Sequence, residues 1–147
     1  RRLATDADVL LVEGARRPGA KILVSGGSRC NVTNRRVTEH DFHGSSRAAI
    51  RQVLRALPVP DTIAWFETLG ITLHEEERGK LFPDSNHSRD VVDALLRECA
   101  RLGIVRRDGC RVTSVARIGD VFHLETGLGP LGSRRLVLAT GGRSLPK

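Results

Sequence analysis

Lys21-Ile22-Leu23-Val24-Ser25-Gly26-Gly27-Ser28-Arg29-Cys30-Asn31-Val32-Thr33-Asn34 is the stretch on which the fold of this chain turns. A short apolar run opens there into a loop of two glycines, hydroxyls, one guanidinium and two carboxamides. Gly26 and Gly27 permit positive φ and let backbone N–H groups approach a ligand without a Cβ in the way, and Arg29 adds a permanently charged fork suited to phosphate. Gly-Gly-Ser is equally the composition of an ordinary surface turn, so the residues on either side have to decide.

Upstream, Val9-Leu10-Leu11-Val12 is a continuous apolar, β-rich run, the pattern of a strand buried on both faces in a parallel sheet, and Glu13 closes it. An acidic residue at the end of such a strand is what a dinucleotide-binding βαβ unit uses to hold a ribose diol, with a glycine-rich phosphate turn about 20 residues earlier. Only twelve residues precede Glu13, so that turn would fall before residue 1. The alternative is a solvated charge after a strand. Gly14 to Gly19, with Arg16 and Arg17, makes a basic connection into the glycine loop.

Downstream, Ser45 or Ser46 caps a predicted helix with Ala49, Ile50, Val53, Leu54 and Leu57 on one face, and Pro58 stops it. Pro60-Asp61 opens a second helix through Ile63, Phe66 and Leu69, closed by Gly70, with Trp65 and Phe66 expected in the core. Ile71 to His74 and Lys80 to Pro83 read as a short hairpin. Ser88-Arg89-Asp90 starts the clearest helix, whose apolar positions are Val91, Val92, Leu95, Leu96, Cys99 and Leu102, ended by Gly103. Closely spaced turn signals then divide Cys110 to Ile118 from Val121 to Thr126, the pattern of an antiparallel meander. Arg135 to Ala139 is predicted as a second doubly buried strand, running into Thr140-Gly141-Gly142 at its carboxyl end, where open α/β sheets bind ligands.

Composition sets the remaining bounds. With 147 residues, 39% apolar and 28% charged, the chain suits one domain with a core. No apolar run approaches the length of a bilayer span, and Arg1-Arg2 does not open an export leader. Cys30, Cys99 and Cys110 form no close pair, which leaves a reducing cytoplasm as the default compartment and no disulfide framework. His40 and His43 lack a third ligand group at fixed spacing, so no metal site is expected. The net charge of +7 is carried almost wholly by arginine, spread in ones and twos along the chain. A nucleic-acid footprint usually clusters, and aromatics for base stacking are few, so nucleic acid is a secondary expectation.

Together these pieces resemble the FAD-binding half of the flavoproteins related to glutathione reductase, in which a βαβ unit, a crossover meander and a strand ending in Ala-Thr-Gly recur. Lys21 to Asn34 is similar to the signature of one branch, the BaiN-like bacterial NAD(P)/FAD-dependent oxidoreductases. Arg78-Gly79-Lys80-Leu81-Phe82-Pro83, Ser88 to Leu95, and Leu138 to Lys147 agree with that branch as well. Ser28 stands where the branch usually has a third glycine, and Ala20 where it commonly has arginine. Pro83-Asp84-Ser85-Asn86-His87 departs from the usual Pro-Val-Ser-Asp-Lys.

The resemblance implies an α/β, Rossmann-like three-layer fold with an antiparallel meander crossover, present in part: residues 1–147 would be an incomplete FAD-binding domain. Within it, residues 8–34 form the ribose and flavin loop region, 45–70 a helical segment, and 88–142 the helix, meander and final strand. The branch's opening glycine turn and its substrate domains would lie outside the chain. A first strand between Val9–Val12 and Leu136–Leu138 would be missing, leaving the isolated chain poorly stable and a weak binder of FAD. By position, Glu13 would hold the adenosine ribose, and Ser25, Gly26, Gly27, Arg29, Cys30 and Asn31 would lie along the cofactor toward the flavin. Val112 would offer backbone groups to adenine, and Thr140, Gly141 and Gly142 would approach from the other strand end. The implied reaction passes hydride from NAD(P)H through FAD to a small organic acceptor, and no residue is assignable as its catalytic acid or base. Cys30 beside Arg29 is a weak candidate for a redox thiol, since no second cysteine is near in sequence. The competing expectations are a basic nucleic-acid-binding module and a non-redox nucleotide-binding pseudo-enzyme on the same fold.

Overall fold

The structure, a computed structural model, describes residues 8–44 and 46–141, and the chain divides into two compact units. The first is built mainly from residues 17–105, the second from residues 10–16 and from 106 onward.

In the first unit, α1 (Ala20–Ser28) is helical only as far as Val24, because Ser25 is extended and Gly26 and Gly27 are left-handed. The apolar run of the glycine stretch is thus one helical turn. β2 (Thr33–Asn34) follows, then a 3₁₀ turn at Glu39–Asp41 whose N-cap Thr38 makes a reciprocal capping box with Asp41. α2 (Arg47–Ala56) is capped by Ser46, whose hydroxyl accepts from the Ala49 N–H at 3.2 Å. Ser45, the other expected cap, lies outside the described residues. α3 (Val59–Thr68) begins after Pro58 and ends at left-handed Gly70, as the sequence predicts. β3 (Leu73–Glu76) and β4 (Lys80–Pro83) form the expected antiparallel hairpin, and β2 pairs with the other edge of β4, Thr33 opposite Leu81.

α4 (Ser88–Arg101) supplies the centre of this unit by burying Val91, Val92 and Ala94. Val91 and Ala94 pack with Cys30, Phe66 and Ile71, flanked by half-buried Ile22, Val32, Leu69, Leu73 and Leu95. Gly19, at φ +79, lets the start of α1 lie against α4, since a Cβ there would sit 2.8 Å from a Val92 methyl. Of the two aromatics expected in the core, Phe66 is buried but Trp65 is 40% exposed, its ring edge-on to Phe66. The apolar face of α2 is largely solvated, with Val53 70% and Leu57 58% exposed, because only Ile50 and Leu54 find partial cover.

The second unit holds the meander: β6 (Val112–Ile118), β7 (Val121–Thr126) and β8 (Leu131–Ser133) pair antiparallel in that order. β1 (Leu10–Val12) pairs with β5 (Val105–Arg107). The bonds from Val105 N–H to Val9 O and from Glu13 N–H to Arg107 O advance together along both strands, as in a parallel pair. Cys110 and Leu124 are the buried apolar residues here.

The doubly buried strands are corrected by the structure. Val9, Leu10 and Leu11 are 45%, 38% and 40% exposed, because β5 is the only strand hydrogen-bonded to β1 among the described residues. Arg135 to Ala139 forms no strand at all: with no ladder partner among the described residues, Val137 and Leu138 are 85% and 74% exposed. No described helix is long and apolar enough to cross a membrane.

Candidate functional site

The glycine loop is held by four left-handed residues out of five: Gly26, Gly27, Ser28 and Cys30. Its base is fixed by the Ser25 hydroxyl, which donates to the Ile22 carbonyl at 2.9 Å, and by the Cys30 N–H, which donates to the Ser25 carbonyl at 3.0 Å. Val32 N–H then bonds the Leu81 carbonyl and ties the loop's exit to β4. Ser88, only 4% exposed, donates its hydroxyl to the Leu23 carbonyl at 3.1 Å and so joins the N-terminus of α4 to the loop's entry.

The two glycines play different parts. A Cβ on Gly26 would sit 2.6 Å from Phe82 Cε1 and 2.9 Å from the Asn31 nitrogen, so this residue is packed against β4. Gly27 has nothing within 4 Å of its Cβ position, which leaves its backbone open. Beside it, the exposed Ser28 hydroxyl and Asn31 carboxamide have no hydrogen-bond partner among the described residues. Open backbone, a hydroxyl and an amide can together receive a polar ligand.

Arg29 does not point into that space as a free fork. Its guanidinium pairs with Glu76 Oε1 on β3, lies 4.3 Å above the Phe82 ring, and donates through Nε to the Gly26 carbonyl at 3.3 Å. The hydrogen bond from Arg29 holds the Glu76 carboxyl below its ordinary range, with His74 adding to the effect. His74 in turn stands between Glu76 (Nε2, 3.4 Å) and Asp84 (Nδ1, 3.3 Å). An open groove of about 410 Å³ runs along Arg29, Glu76, Glu77, Lys80 and Phe82. Glu76 is not among the residues that the sequence singles out, and Phe82 enters there only within the Arg78 to Pro83 stretch; the signal for both is the hairpin alternation, which sets His74 opposite Phe82 and Glu76 opposite Lys80.

Cys30 is 6% exposed and belongs to the apolar core, so its side chain faces away from the open side of the loop. Burial raises the thiol pKa, and the hydrogen bond with Ser25 offsets this only in part. The raised pKa runs against the weak redox-thiol candidacy of Cys30, and the Arg29 guanidinium is engaged by Glu76.

The remaining expected residues lie in the second unit. Glu13 follows β1 and is half-buried; its Oε1 accepts the Ala15 N–H at 2.8 Å, while Oε2 has no partner among the described residues. The loop after it is fixed by Cys110 N–H to the Glu13 carbonyl and Gly109 N–H to the Ala15 carbonyl. Val112 opens β6 opposite Thr126, beside a bulge, and is 37% exposed. Thr140 and Gly141 follow no strand, Gly141 being left-handed at φ +71, and Gly142 lies outside the described residues.

The family model that matches describes the HI0933-like protein Rossmann domain and covers residues 2–147. A ribosomal RNA dihydrouridine synthase of Escherichia coli is 36% identical over 94% of the chain and 34% of its own length. Its counterpart in Haemophilus influenzae is 32% identical over 94% of the chain and 35% of its own length. A 3-dehydro-bile acid delta(4,6)-reductase of Clostridium scindens is 28% identical over 95% of the chain and 34% of its own length. The chain therefore spans about a third of the length of these relatives. The family match, over residues 2–147, shows that this chain belongs to the HI0933-like Rossmann domain family.

Proposed function

We propose that this chain is the cofactor-holding part of an FAD-dependent reductase that passes hydride from NAD(P)H to a carbon–carbon double bond conjugated with a carbonyl. The two kinds of relative share that chemistry: dihydrouridine is uridine with its ring C=C reduced, and a delta(4,6)-reductase acts on double bonds of a steroid. The observation that carries the reading is the open backbone at Gly27 flanked by the unengaged Ser28 hydroxyl and Asn31 carboxamide. A dinucleotide needs close backbone approach and polar groups of this kind, and the residues present fit one. Ser25, Gly26 and Cys30 would shape the loop, Gly27, Ser28 and Asn31 would face the cofactor, and Arg29, held by Glu76 and the Phe82 ring, would brace the loop from the hairpin side. Glu13 would offer Oε2 to a ribose hydroxyl, and Val112, Thr140, Gly141 and Gly142 would contribute backbone. Bound FAD supplies the two-electron chemistry.

As substrate we favour a uridine of ribosomal RNA over a steroid. The two synthases are the relatives of higher identity, and a net charge of +7 suits a polyanion. Three cysteines free of disulfides suit the reducing cytoplasm, where that RNA resides. The test takes the gene product that contains this chain. Yellow flavin absorbance that bleaches on adding NADH or NADPH, and ribosomal RNA lacking one dihydrouridine in cells without the gene, are the expected results. A colourless protein overturns the flavin reading. A flavoprotein whose deletion leaves ribosomal dihydrouridine unchanged overturns the substrate alone.

A further inference from the structure

α2 buries no residue, and it carries Arg47, Arg51 and Arg55 at four-residue spacing with no acidic residue of its own. Four residues advance a helix by about 6 Å and return close to the same side, so the three guanidinium groups form one stripe. Arg51 is tied to Glu39 in the adjoining 3₁₀ turn, with 2.9 Å from Nε to Oε1. Arg47 and Arg55 have no partner among the described residues, and Phe42, at the end of that turn, is 47% exposed. Arginines dispersed in sequence are here gathered on one exposed helix side, which a folded core does not require.

We propose that this side of α2 docks RNA, with Arg47, Arg51 and Arg55 on backbone phosphates and Phe42 offering its ring to a base. The proposal rests on the ribosomal-RNA reading above and names the surface that would hold that substrate. Charge complementarity decides the occupant: three arginines, set against Glu39, which pairs with Arg51, and Asp41, which accepts from Thr38, leave a net positive stripe that matches a polyphosphate chain. The exposed Ala49 and Val53, with Leu57 at the helix end, lie round the helix from the arginines, while Ile50 and Leu54 are partly covered, so the apolar area left is too small to seat the helix in a membrane.

The experiment measures binding of the gene product to protein-free ribosomal RNA across a salt series, for wild type, Arg47→Gln/Arg55→Gln, Arg47→Lys/Arg55→Lys, and Arg97→Gln on α4. Losing two phosphate contacts makes the slope of log K against log salt shallower by about 1.5, so that a variant equal to wild type near 1 M salt binds about 30-fold more weakly than wild type at 0.1 M. The lysine pair should keep most of the affinity and Arg97→Gln should change it little. If Arg47→Gln/Arg55→Gln binds no worse than Arg97→Gln, the surface is wrong while the substrate reading stands. A wild-type protein without affinity for ribosomal RNA removes both. Loss of binding to phosphatidylglycerol vesicles with RNA binding intact overturns the proposal in favour of a membrane.

Discussion

Ser28 sits at φ +67, a region where a Cβ is crowded by the backbone. Ser28→Gly should therefore stabilise the protein by up to about 1 kcal/mol, read from denaturant unfolding. Gly26→Ala should do the reverse: a left-handed φ combines with a 2.6 Å approach to Phe82, for a loss of about 2–4 kcal/mol. Equal effects of Ala at Gly26 and at open Gly27 would contradict the packing described. Cys30 gives a prediction of opposite character. Its thiol is buried and its pKa raised, so it should react with alkylating reagents far more slowly than an exposed cysteine. The raised folded-state pKa means that its contribution to stability is complete below the ordinary thiol pKa and fades as pH rises through the folded value.

Between elements, Ser88 is the buried polar link from α4 to the entry of the glycine loop. Ser88→Ala leaves the Leu23 carbonyl without its donor and should cost about 1–3 kcal/mol, with faster amide exchange at the start of α1 as the local sign. The link from hairpin to loop is electrostatic. Glu76 is lowered chiefly by its hydrogen bond from Arg29, so this contribution is present above the ordinary carboxylate pKa and lost as pH falls through the lowered folded value. Glu76→Gln should flatten that acid limb in a stability-against-pH series. These elements differ in how far the sequence announces them. α4, the hairpin and the meander carry their own periodicity and turn residues, so their existence follows from local pattern. β1 and the Arg135 to Ala139 run have the pattern of buried strands, but burial depends on neighbours that no local pattern supplies, and both are exposed. Within the loop region, the left-handed Gly26 and Gly27 and the place of Glu13 directly after β1 are legible because both are local. The pairing of Arg29 with Glu76 spans 47 residues and comes from the β2–β4–β3 arrangement.

At the scale of the molecule, the apolar residues that a buried strand would hide lie open: Leu10 and Leu11 at one end of the described chain, Val137 and Leu138 at the other. Unpaired apolar strand edges invite association. Expressed as these 147 residues alone, the protein should bind hydrophobic dyes, scatter light increasingly with concentration and retain little FAD. A monodisperse, dye-free preparation with stoichiometric flavin would refute this.

Trp65 is the only tryptophan and tyrosine is absent, so near-ultraviolet emission comes from one ring, on α3 in the first unit. Intrinsic fluorescence is therefore a private reporter for that unit, whereas the meander is visible only to amide-backbone probes. Recording both during one melt turns a single side chain into a test of cooperativity: superimposable curves mean that the two units unfold as one, and separated curves resolve which gives way first.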